Sequence, residues 1–385
     1  MFDHLLNEEE LLLRNTVREF ADQQLAPNAA DYDESGEFPW DNFRGLAELG
    51  LFGLTIGEEF GGSGGTARQS AIVVEEIARG CAATSVIFVA HLSLCTRLID
   101  LFGTEGQRQR FVPSLVAGEK VGAFALTEPG AGSDSSAIST TATKSNGGYL
   151  LDGTKMFITN ANEADVFVIM ATMDRSLRTR GINALVVERD TAGMTITKQH
   201  GKMGMRASST AEIVFESSPV PEENRLGPEG QGFKQAMQSL NTSRIEVAAQ
   251  ALGIAQAAYE AAVSYAQQRK AFGQHIADFQ GIQWMIVEMA TNIEAARHLV
   301  YNAATLRDRG LPFVKEASMA KLFASRVAVE SADKAVQIHG GTGYFAPTPA
   351  ERYYRDAKVT EIYEGSSEVQ RLIIARNILD TEDRK

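Results

Sequence analysis

The first third of the chain carries its apolar residues with the spacing of amphipathic helices. The clearest members of this pattern near the start are Leu11, Leu12, Val17 and Phe20. Pro39, Pro113 and the glycine-rich loop GGSGG at residues 61–65 interrupt the pattern, as breakers between helices do. The sequence therefore predicts an N-terminal α-helical domain over residues 1–123.

Between residues 124 and 232 the pattern changes to short runs rich in β-branched residues. These runs are DVFVIMA at 165–171, NALVVE at 183–188 and AEIVFE at 211–216. Turn-forming residues, such as NGG at 146–148 and Asp152 with Gly153, separate runs of this kind. The pattern predicts a middle antiparallel β-domain over residues 124–232.

After residue 232 the chain becomes rich in alanine, and long helical segments return. They are predicted at about residues 233–269, 279–309, 312–339 and 367–379. Segments of this length are typical of helix bundles, so residues 233–385 are predicted to form a C-terminal four-helix bundle. The predicted fold class is α+β multidomain. Because no Pro-rich linker separates the three domains, we expect them to pack closely.

Composition narrows the possible partners. The chain has 385 residues, of which 44% are hydrophobic, enough for a substantial core. Its formal net charge of −12 opposes binding to nucleic acid or to an anionic membrane, because both need clustered Lys and Arg. The longest apolar run, residues 82–94, contains polar residues and is shorter than the roughly eighteen residues of a membrane span. We expect no nucleic-acid partner and no membrane.

The cysteine content and the first residues bear on the compartment. Cys81 and Cys95 are the two cysteines of the sequence, too few for a disulfide framework, which favours a reducing setting. Residues 1–10 turn acidic at once and lack the features of a secretory signal. We expect a cytoplasmic protein, or one in an organelle matrix after removal of a transit peptide. The histidines show no metal-ligand spacing, so no metal site is expected.

Five short segments stand out for their chemistry and their order. They are TEPGAGSD at 127–134, KMFITN at 155–160, RKAFG at 269–273, QIHGGTG at 337–343 and EIYEGSSE at 361–368. In this order and spacing, over nearly the whole chain, they resemble the acyl-CoA dehydrogenase family of the short- and medium-chain type. The resemblance implies FAD as cofactor, an acyl-CoA substrate and a trans-2-enoyl-CoA product. It also implies an electron-transfer flavoprotein as acceptor, since the chain is shorter than acyl-CoA oxidases.

Glu364 matches the general base of the family. Dehydrogenation between Cα and Cβ of a thioester needs a base for the α-proton and an acceptor for the β-hydride. Tyr363 and Ile362 are expected to desolvate the carboxylate and raise its pKa, and Gly365 allows close approach of the thioester. Tyr363 and Gly365 are therefore predicted to bind substrate.

Two other interpretations of this segment stay open. Glu364 is alternatively a solvated carboxylate at the start of a helix, and Glu361 and Glu368 compete with it as the base. Isovaleryl-type relatives place their base at the position of Ser243. A serine cannot serve as that base, which favours Glu364.

The flavin cradle is predicted from the resemblance, mainly within the middle β-domain. The predicted cofactor contacts there are Phe124, Leu126, Thr127, Gly132, Ser133, Phe157, Ile158 and Thr159, together with Ser366 and Glu368. Thr159 matches the residue whose hydroxyl meets flavin N5. Phe157 stands where many relatives carry Trp, and its ring can still cover the flavin. Ser133 is also predicted to contact the substrate.

A second set of predicted cofactor contacts lies in the C-terminal third. It comprises Arg269, Phe272, Gln280, Gln337, Gly340 and Gly341. In the family, matching residues grip the adenine and pyrophosphate half of the FAD in a neighbouring subunit, where Arg offers planar donors to phosphate. The resemblance therefore implies a homotetramer.

The remaining predicted substrate contacts come from two helices. Asn241 and Arg244 match the CoA-contacting stretch, in which the family usually carries Asp at the position of Asn241. A structural salt bridge is the alternative for Arg244. The acyl pocket is predicted from Val86, Ile87, Ala90 and His91. His91 is alternatively a hydrogen-bonded structural residue.

Other functions of the same fold are alternatives to this interpretation. They include an oxygen-using flavin oxidase or monooxygenase, a catalytically silent FAD-binding subunit, and a specialist for cyclic or unusual acyl groups. Ser85 stands near the position where glutaryl-CoA relatives bind a carboxylate with Arg, which disfavours a dicarboxylate substrate. The sequence does not fix the acyl chain.

Overall fold

The computed structural model describes residues 3–379, and its first part is helical, as the apolar pattern predicts. The helices are α1 Glu8–Phe20, α2 Ala26–Ser35, α3 Trp40–Glu48, α4 Ala67–Gly80, α5 Ala82–Val89, α6 Arg97–Phe102 and α7 Glu105–Val116. Two π-helical turns, Ala21–Leu25 and Ala90–Thr96, join α1 to α2 and α5 to α6. Reciprocal side-chain caps start three helices: Asn7 with Glu10, Thr66 with Gln69 and Thr104 with Gln107.

The middle part is an eight-stranded sheet. Its strands are β1 Gly122–Ala125, β2 Thr141–Ser145, β3 Gly148–Thr159, β4 Val166–Thr172, β5 Ile182–Glu188, β6 Met194–Lys198, β7 Thr210–Pro221 and β8 Arg225–Leu226. The main order is β6-β7-β3-β2-β4-β5-β8, and β1 pairs with β4. Most pairings are antiparallel, as predicted, but β1 and β2 run parallel to β4, so the sheet is mixed. All seven residues of β4 are buried, which explains its unbroken apolar run.

Long helices return in the C-terminal part. They are α8 Gly232–Gln268, α9 Gln280–Asp308, α10 Val314–His339, α11 Pro349–Lys358 and α12 Ser367–Leu379, with a hairpin of β9 Lys270–Ala271 and β10 Gln274–His275 after α8. The four predicted helices lie within two residues of the observed limits. The sequence analysis missed α11, although Pro349 at its first position is a common helix start.

Helix α8 is the central element, because it packs against α4, α9, α10 and α11. Gly253 shows how closely α4 and α8 approach each other. A Cβ atom at this position would lie 2.2 Å from the carbonyl oxygen of Glu75 and 2.8 Å from the Cβ of Ala78. Buried residues of all three parts form one hydrophobic core, so the three parts pack closely, as expected. The limits 123 and 232 stay a prediction, close to the starts of β1 and α8.

One helical stretch within residues 3–379, Ala82–Phe102, is long and apolar enough to cross a membrane by length and composition. Within the fold, 72% of its most apolar window is buried. Its apolar side chains are thus accounted for by packing in the protein core.

Candidate active site

Glu364 lies in the turn that leads into α12, and its backbone is unusual. Its φ angle is 52°, in the left-handed region that a glutamate rarely adopts, and Gly365 follows with φ of 95°. Lys321 Nζ donates to the carbonyl of Gly365 at 2.8 Å. Gln370 Nε2 donates to the same carbonyl at 2.8 Å and to that of Glu364 at 3.3 Å. These bonds hold the turn in a conformation that neighbouring structure must impose.

The carboxylate of Glu364 points to α8 and is partly buried. Its Oε2 accepts a hydrogen bond from Oγ of Ser243. Burial raises the pKa of Glu364 from 4.5 to about 7, against the opposing effects of Ser243, Arg244 and Lys321. A carboxyl group with this pKa exchanges protons near neutral pH, which suits a general base.

The two competing glutamates are placed differently. Glu361 forms an ion pair with Lys358 at 2.6 Å. The side chain of Glu368 is 78% exposed and lies 3.4 Å from Arg371. Glu361 is paired with a lysine and Glu368 is exposed, whereas the Glu364 carboxylate contacts Ser243 on α8, so the geometry supports Glu364 as the base.

Arg244 directly follows Ser243 on α8 and lies beside the turn. It donates to Oδ1 of Asn241 and, through Nε at 3.4 Å, to the carbonyl of Glu364. Burial lowers the pKa of this guanidinium. These partners are an amide and a main-chain carbonyl, which favours a site role for Arg244 over a structural salt bridge.

A polar network that the sequence analysis missed continues from Tyr363. Its hydroxyl donates to Oε1 of Gln250, and Gln250 Nε2 donates to Oγ of Ser85 at 2.7 Å. Gln250 and Ser85 are fully enclosed, with 1% and 0% of their surface exposed. The sequence signal for this network is a glutamine within the buried, mostly apolar stripe of α8. The network joins α8, α5 and the residue next to the base.

His91 lies in the protein interior, on the π-helical turn after α5. Its Nε2 lies 2.9 Å from the carbonyl of Leu115, and its Nδ1 accepts from the amide of Gly122 at 2.9 Å. Burial lowers the pKa of this imidazole to about 4, so the ring is neutral. Both nitrogens are used by the main chain, which supports the structural interpretation. A role of His91 in acyl selection stays a prediction.

The predicted flavin loop is tied to β3 by buried contacts. Met156 N donates to the carbonyl of Thr127 at 2.9 Å. Lys155 Nζ donates to Glu128 Oε1 at 2.7 Å and to the carbonyl of Leu126 at 3.1 Å. The pair is almost completely buried. It brings the loop that contains Thr127 beside the strand that ends at Thr159.

The end of β3 is irregular where the flavin is predicted to bind. A register shift separates Lys155 from Ile158, and Phe157 in between has φ of 61°. The bulge turns the Phe157 ring outward, so that 64% of the residue is exposed. Thr127, whose carbonyl accepts from Met156 N, and Thr159, two residues after Phe157, are partly exposed residues. An aromatic face with adjacent hydrogen-bonding groups fits the isoalloxazine of FAD.

Members of the second predicted cofactor set lie next to a contact between two helix ends. The ring of Tyr265, near the end of α8, stacks on that of His339, at the end of α10, with centroids 4.3 Å apart. Arg269 follows the end of α8, Gly340 and Gly341 follow the end of α10, and all three are exposed. Phe272 projects from the β9–β10 hairpin and is 97% exposed. The set therefore presents an exposed surface away from the core.

Comparison with known proteins decides the family. Family models of the acyl-CoA dehydrogenase N-terminal, middle and C-terminal domains match residues 7–119, 123–218 and 230–379. The chain belongs to the acyl-CoA dehydrogenase family. Its members are FAD-dependent oxidoreductases, which confirms the predictions of family, fold class, enzyme class and cofactor.

Two relatives cover nearly the whole length of this chain. A short-chain specific acyl-CoA dehydrogenase of Clostridium acetobutylicum is 48% identical, over 98% of this chain and 99% of the relative. The mitochondrial short-chain specific acyl-CoA dehydrogenase of Bos taurus is also 48% identical, over 97% of this chain and 91% of the relative.

Two solved structures are similar to this chain in fold and sequence. Butyryl-CoA dehydrogenase from Megasphaera elsdenii superposes with a TM-score of 0.95 at 43% identity, covering 97% of this chain and 99% of that one. A chain from a study of the electron transferring flavoprotein of Acidaminococcus fermentans gives a TM-score of 0.96 at 45% identity, covering 98% and 99%.

Proposed function

We propose that this enzyme oxidises short-chain acyl-CoA thioesters to trans-2-enoyl-CoA, with Glu364 as the general base. The observation that carries the proposal is the Glu364 turn. Its carboxylate is partly buried, contacts Ser243 and has a pKa near 7, while hydrogen bonds from three side chains fix its main chain. Relatives with short-chain specificity support the choice of substrate.

Different residues of the chain bind the flavin, act on the substrate and hold the turn. Thr127, Ser133, Phe157 and Thr159 hold the flavin, and FAD, when bound, supplies the acceptor for the hydride that leaves Cβ. Glu364 removes the α-proton, and its main-chain N–H polarises the thioester carbonyl, which makes that proton more acidic. Lys321, Gln370 and Arg244 hold the turn in place.

Anaerobic mixing with butyryl-CoA tests this function. We expect the flavin absorbance to bleach and to recover slowly in air, but quickly with an electron-transfer flavoprotein. Rapid recovery in air would indicate an oxidase. A flavin that no straight, branched or cyclic acyl-CoA bleaches would indicate a silent FAD-binding subunit.

The length of the acyl pocket follows from α8. Ser243 contacts the base, and Gln250 lies seven residues further along the helix, a rise of about 10 Å. The bonds of Gln250 to Ser85 and Tyr363 close the space between α8 and α5 at this point. An acyl chain that starts at Glu364 and follows α8 must end there. The network thus sets the far end of the acyl pocket.

Replacing Gln250 by alanine is expected to lengthen the pocket. Each further methylene that the pocket buries contributes about 0.8 kcal/mol, so the preference for a longer acyl-CoA should rise about fourfold per added methylene. The measurement is kcat/KM for butyryl-, hexanoyl- and octanoyl-CoA. Gln238→Ala, an exposed site on the same helix, is the control and should keep the original ranking. An unchanged ranking in Gln250→Ala would rule out this pocket floor.

The pKa of Glu364 predicts the pH dependence of flavin reduction. The base acts in its ionised form, so kcat/KM should fall about tenfold per pH unit below pH 7 and level off above it. Anaerobic stopped-flow reduction by butyryl-CoA at a series of pH values measures this. A rate constant that stays level down to the ordinary glutamate pKa of 4.5 would contradict a buried base.

The proposal extends to the electron acceptor and the compartment. We expect an electron-transfer flavoprotein to accept the electrons, in line with the Acidaminococcus structure. Some relatives are mitochondrial and others bacterial, which agrees with the expectation of a cytoplasmic or organelle-matrix protein.

We further propose a homotetramer in which Arg269 and residues 337–341 contact the FAD of a neighbour. Arg269→Ala should weaken FAD binding about 10- to 100-fold, because it removes charged hydrogen bonds to phosphate. Cofactor content and light scattering provide the measurement. Arg309→Ala, at an exposed position after α9, is the control and should bind FAD normally. A monomer that retains one FAD per chain would disprove the proposal.

A further inference from the structure

Three hydrogen bonds join the end of β3 to α5 and to the π-helical turn that follows it. Asn160, directly after Thr159 at the end of β3, donates through Nδ2 to the carbonyl of Ile87 on α5 at 3.1 Å. The same Nδ2 donates to the carbonyl of Gly122, the first residue of β1, at 3.3 Å. The amide of Gly122 in turn donates to Nδ1 of His91 at 2.9 Å. We call Ile87, His91, Gly122 and Asn160 the pocket bridge.

Asn160 fixes the end of β3 with its main chain and its side chain. Its φ angle is 65°, in the left-handed region, which asparagine tolerates better than most residues with a Cβ atom. Its N–H donates to the carbonyl of Ser209 at 3.1 Å, and its carbonyl accepts from the amide of Ala164 at 2.8 Å. The side chain is fully buried, and its Oδ1 has no hydrogen-bond partner among residues 3–379. The donor end of the amide therefore makes the contacts that join the elements.

Gly122 is the point of closest approach in the pocket bridge. A Cβ atom at this position would lie 2.9 Å from both Cβ and Sγ of Cys95, so glycine lets the π-helical turn approach β1 this closely. Because Nδ1 of His91 accepts from Gly122, its Nε2 carries the hydrogen that bonds to the carbonyl of Leu115. The Oγ1 of Thr96 donates to the carbonyl of His91 at 2.8 Å. These bonds hold the turn against the sheet.

The elements joined by the pocket bridge carry the two reacting groups of the proposed function. Thr159, next to Asn160, is a proposed flavin contact. Helix α5 carries Ile87, predicted to line the acyl pocket, and Ser85, which bonds to Gln250 at the far end of that pocket. Two reacting atoms must lie about 3–3.5 Å apart, and a misplacement of about 1 Å can cost about 100-fold in rate. A fixed spacing between β3 and α5 meets this requirement.

We propose that Asn160 is a positioning residue, which through Ile87 and Gly122 fixes the spacing between the flavin site and the acyl pocket. His91 is the second anchor of the same bridge, and it acts through Gly122 without contact to the acyl group. The inference rests on the proposed function, in which the flavin contacts Thr159 and the acyl chain lies along α5. Loss of the bridge leaves both sites present but separately mobile.

Asn160→Gly tests the proposal, because glycine adopts the positive φ angle and removes the amide donor. We expect the limiting rate constant for anaerobic flavin reduction by butyryl-CoA to fall about 10- to 100-fold. The half-saturating concentration of butyryl-CoA should change less than about twofold, because the binding groups are retained. If the wild-type flavin is not reduced by any acyl-CoA, the proposed function fails, and the exchange measurement described below still tests the bridge.

Asn224→Ala is the matched control. Asn224 is also buried in the β-domain, and its Nδ2 donates to the carbonyl of Val186 at 3.0 Å, away from the pocket bridge. Its variant should lose thermal stability as Asn160→Gly does, because each loses a buried donor, but it should keep the limiting rate constant. A rate constant in Asn160→Gly as high as in Asn224→Ala would overturn the proposal.

Hydrogen–deuterium exchange of the substrate-free holoenzyme measures the bridge without activity. Peptides that cover residues 86–96 report the end of α5 and the π-helical turn. Exchange there should be about tenfold faster in Asn160→Gly, since the loss of two hydrogen bonds favours local opening, and unchanged in Asn224→Ala. Exchange at the wild-type rate in Asn160→Gly would overturn the proposal, even if flavin reduction slows.

Two variants of His91 test the second anchor if Asn160→Gly does not fold. The Oδ1 of an asparagine is two bonds from Cβ, as Nδ1 of histidine is, so His91→Asn keeps an acceptor for Gly122. The amide nitrogen of a glutamine is three bonds from Cβ, as Nε2 is, so His91→Gln keeps the bond to Leu115. We expect His91→Gln to reduce the flavin about tenfold more slowly than His91→Asn. The reverse order, or a changed ranking of butyryl-, hexanoyl- and octanoyl-CoA, would overturn the proposal.

Discussion

Glu364→Gln should retain FAD and bind acyl-CoA, yet reduce the flavin at least about a hundredfold more slowly. Glutamine keeps the size of the side chain and its contact with Ser243 but cannot accept the α-proton, and general-base catalysis typically contributes about 10²- to 10⁴-fold. Single-turnover reduction by butyryl-CoA under anaerobic conditions measures the effect. Binding of the enoyl-CoA product, followed by the flavin spectrum, shows whether the site is intact.

Glu361→Gln provides the matched control for this experiment. Glu361 lies three residues before the base and is engaged by Lys358 at the surface of the turn. Its variant should reduce the flavin at close to the wild-type rate. Wild-type bleaching in Glu364→Gln, or a large loss in Glu361→Gln, would move the base away from Glu364.

Much of the fold could be predicted from local pattern. The alanine-rich helices could be predicted to within two residues of their observed limits. Their helical pattern extends over many residues, and helix breakers mark their ends. The strands were recognised from β-branched runs. The parallel pairing of β1 with β4 could not be predicted, since it depends on contacts between residues more than forty positions apart. Helix α11 has ten residues, of which five are charged, so few apolar positions mark it in the sequence.

The candidate site could be predicted less completely than the fold. Motif order indicated Glu364 and the flavin cradle, but motifs do not report what a side chain meets across the fold. Gln250 lies on the buried stripe of α8 as a polar residue within an apolar pattern, and its partner Ser85 comes from another helix. His91 shows the converse, because its place on a pocket-facing helix suggested substrate, while its partners are main-chain atoms. The partners of these residues come from tertiary contacts, which a sequence motif does not contain.

The second large effect is expected at the buried ion pair under the flavin loop. Glu128 accepts from Lys155, from the amide and hydroxyl of Ser139 at 2.5 and 2.7 Å, and from the amide of Thr140 at 3.0 Å. Burial alone would raise the pKa of Glu128, but Lys155 and these donors hold it at about 2. The pair is therefore ionised at neutral pH.

Lys155→Met should lower the free energy of unfolding by about 3–5 kcal/mol, because it leaves the Glu128 charge buried without its partner. The loop that carries Thr127 should loosen, and FAD affinity should fall with it. Thermal unfolding and cofactor titration at fixed protein concentration measure both effects. Glu105→Gln, which breaks the exposed pair with Arg108, should cost less than about 1 kcal/mol. Glu128→Leu combined with Lys155→Met should regain much of the stability but not the FAD affinity, because the loop has lost its anchor. A loss in Lys155→Met no larger than in the surface control would show that the pair does not hold the cradle.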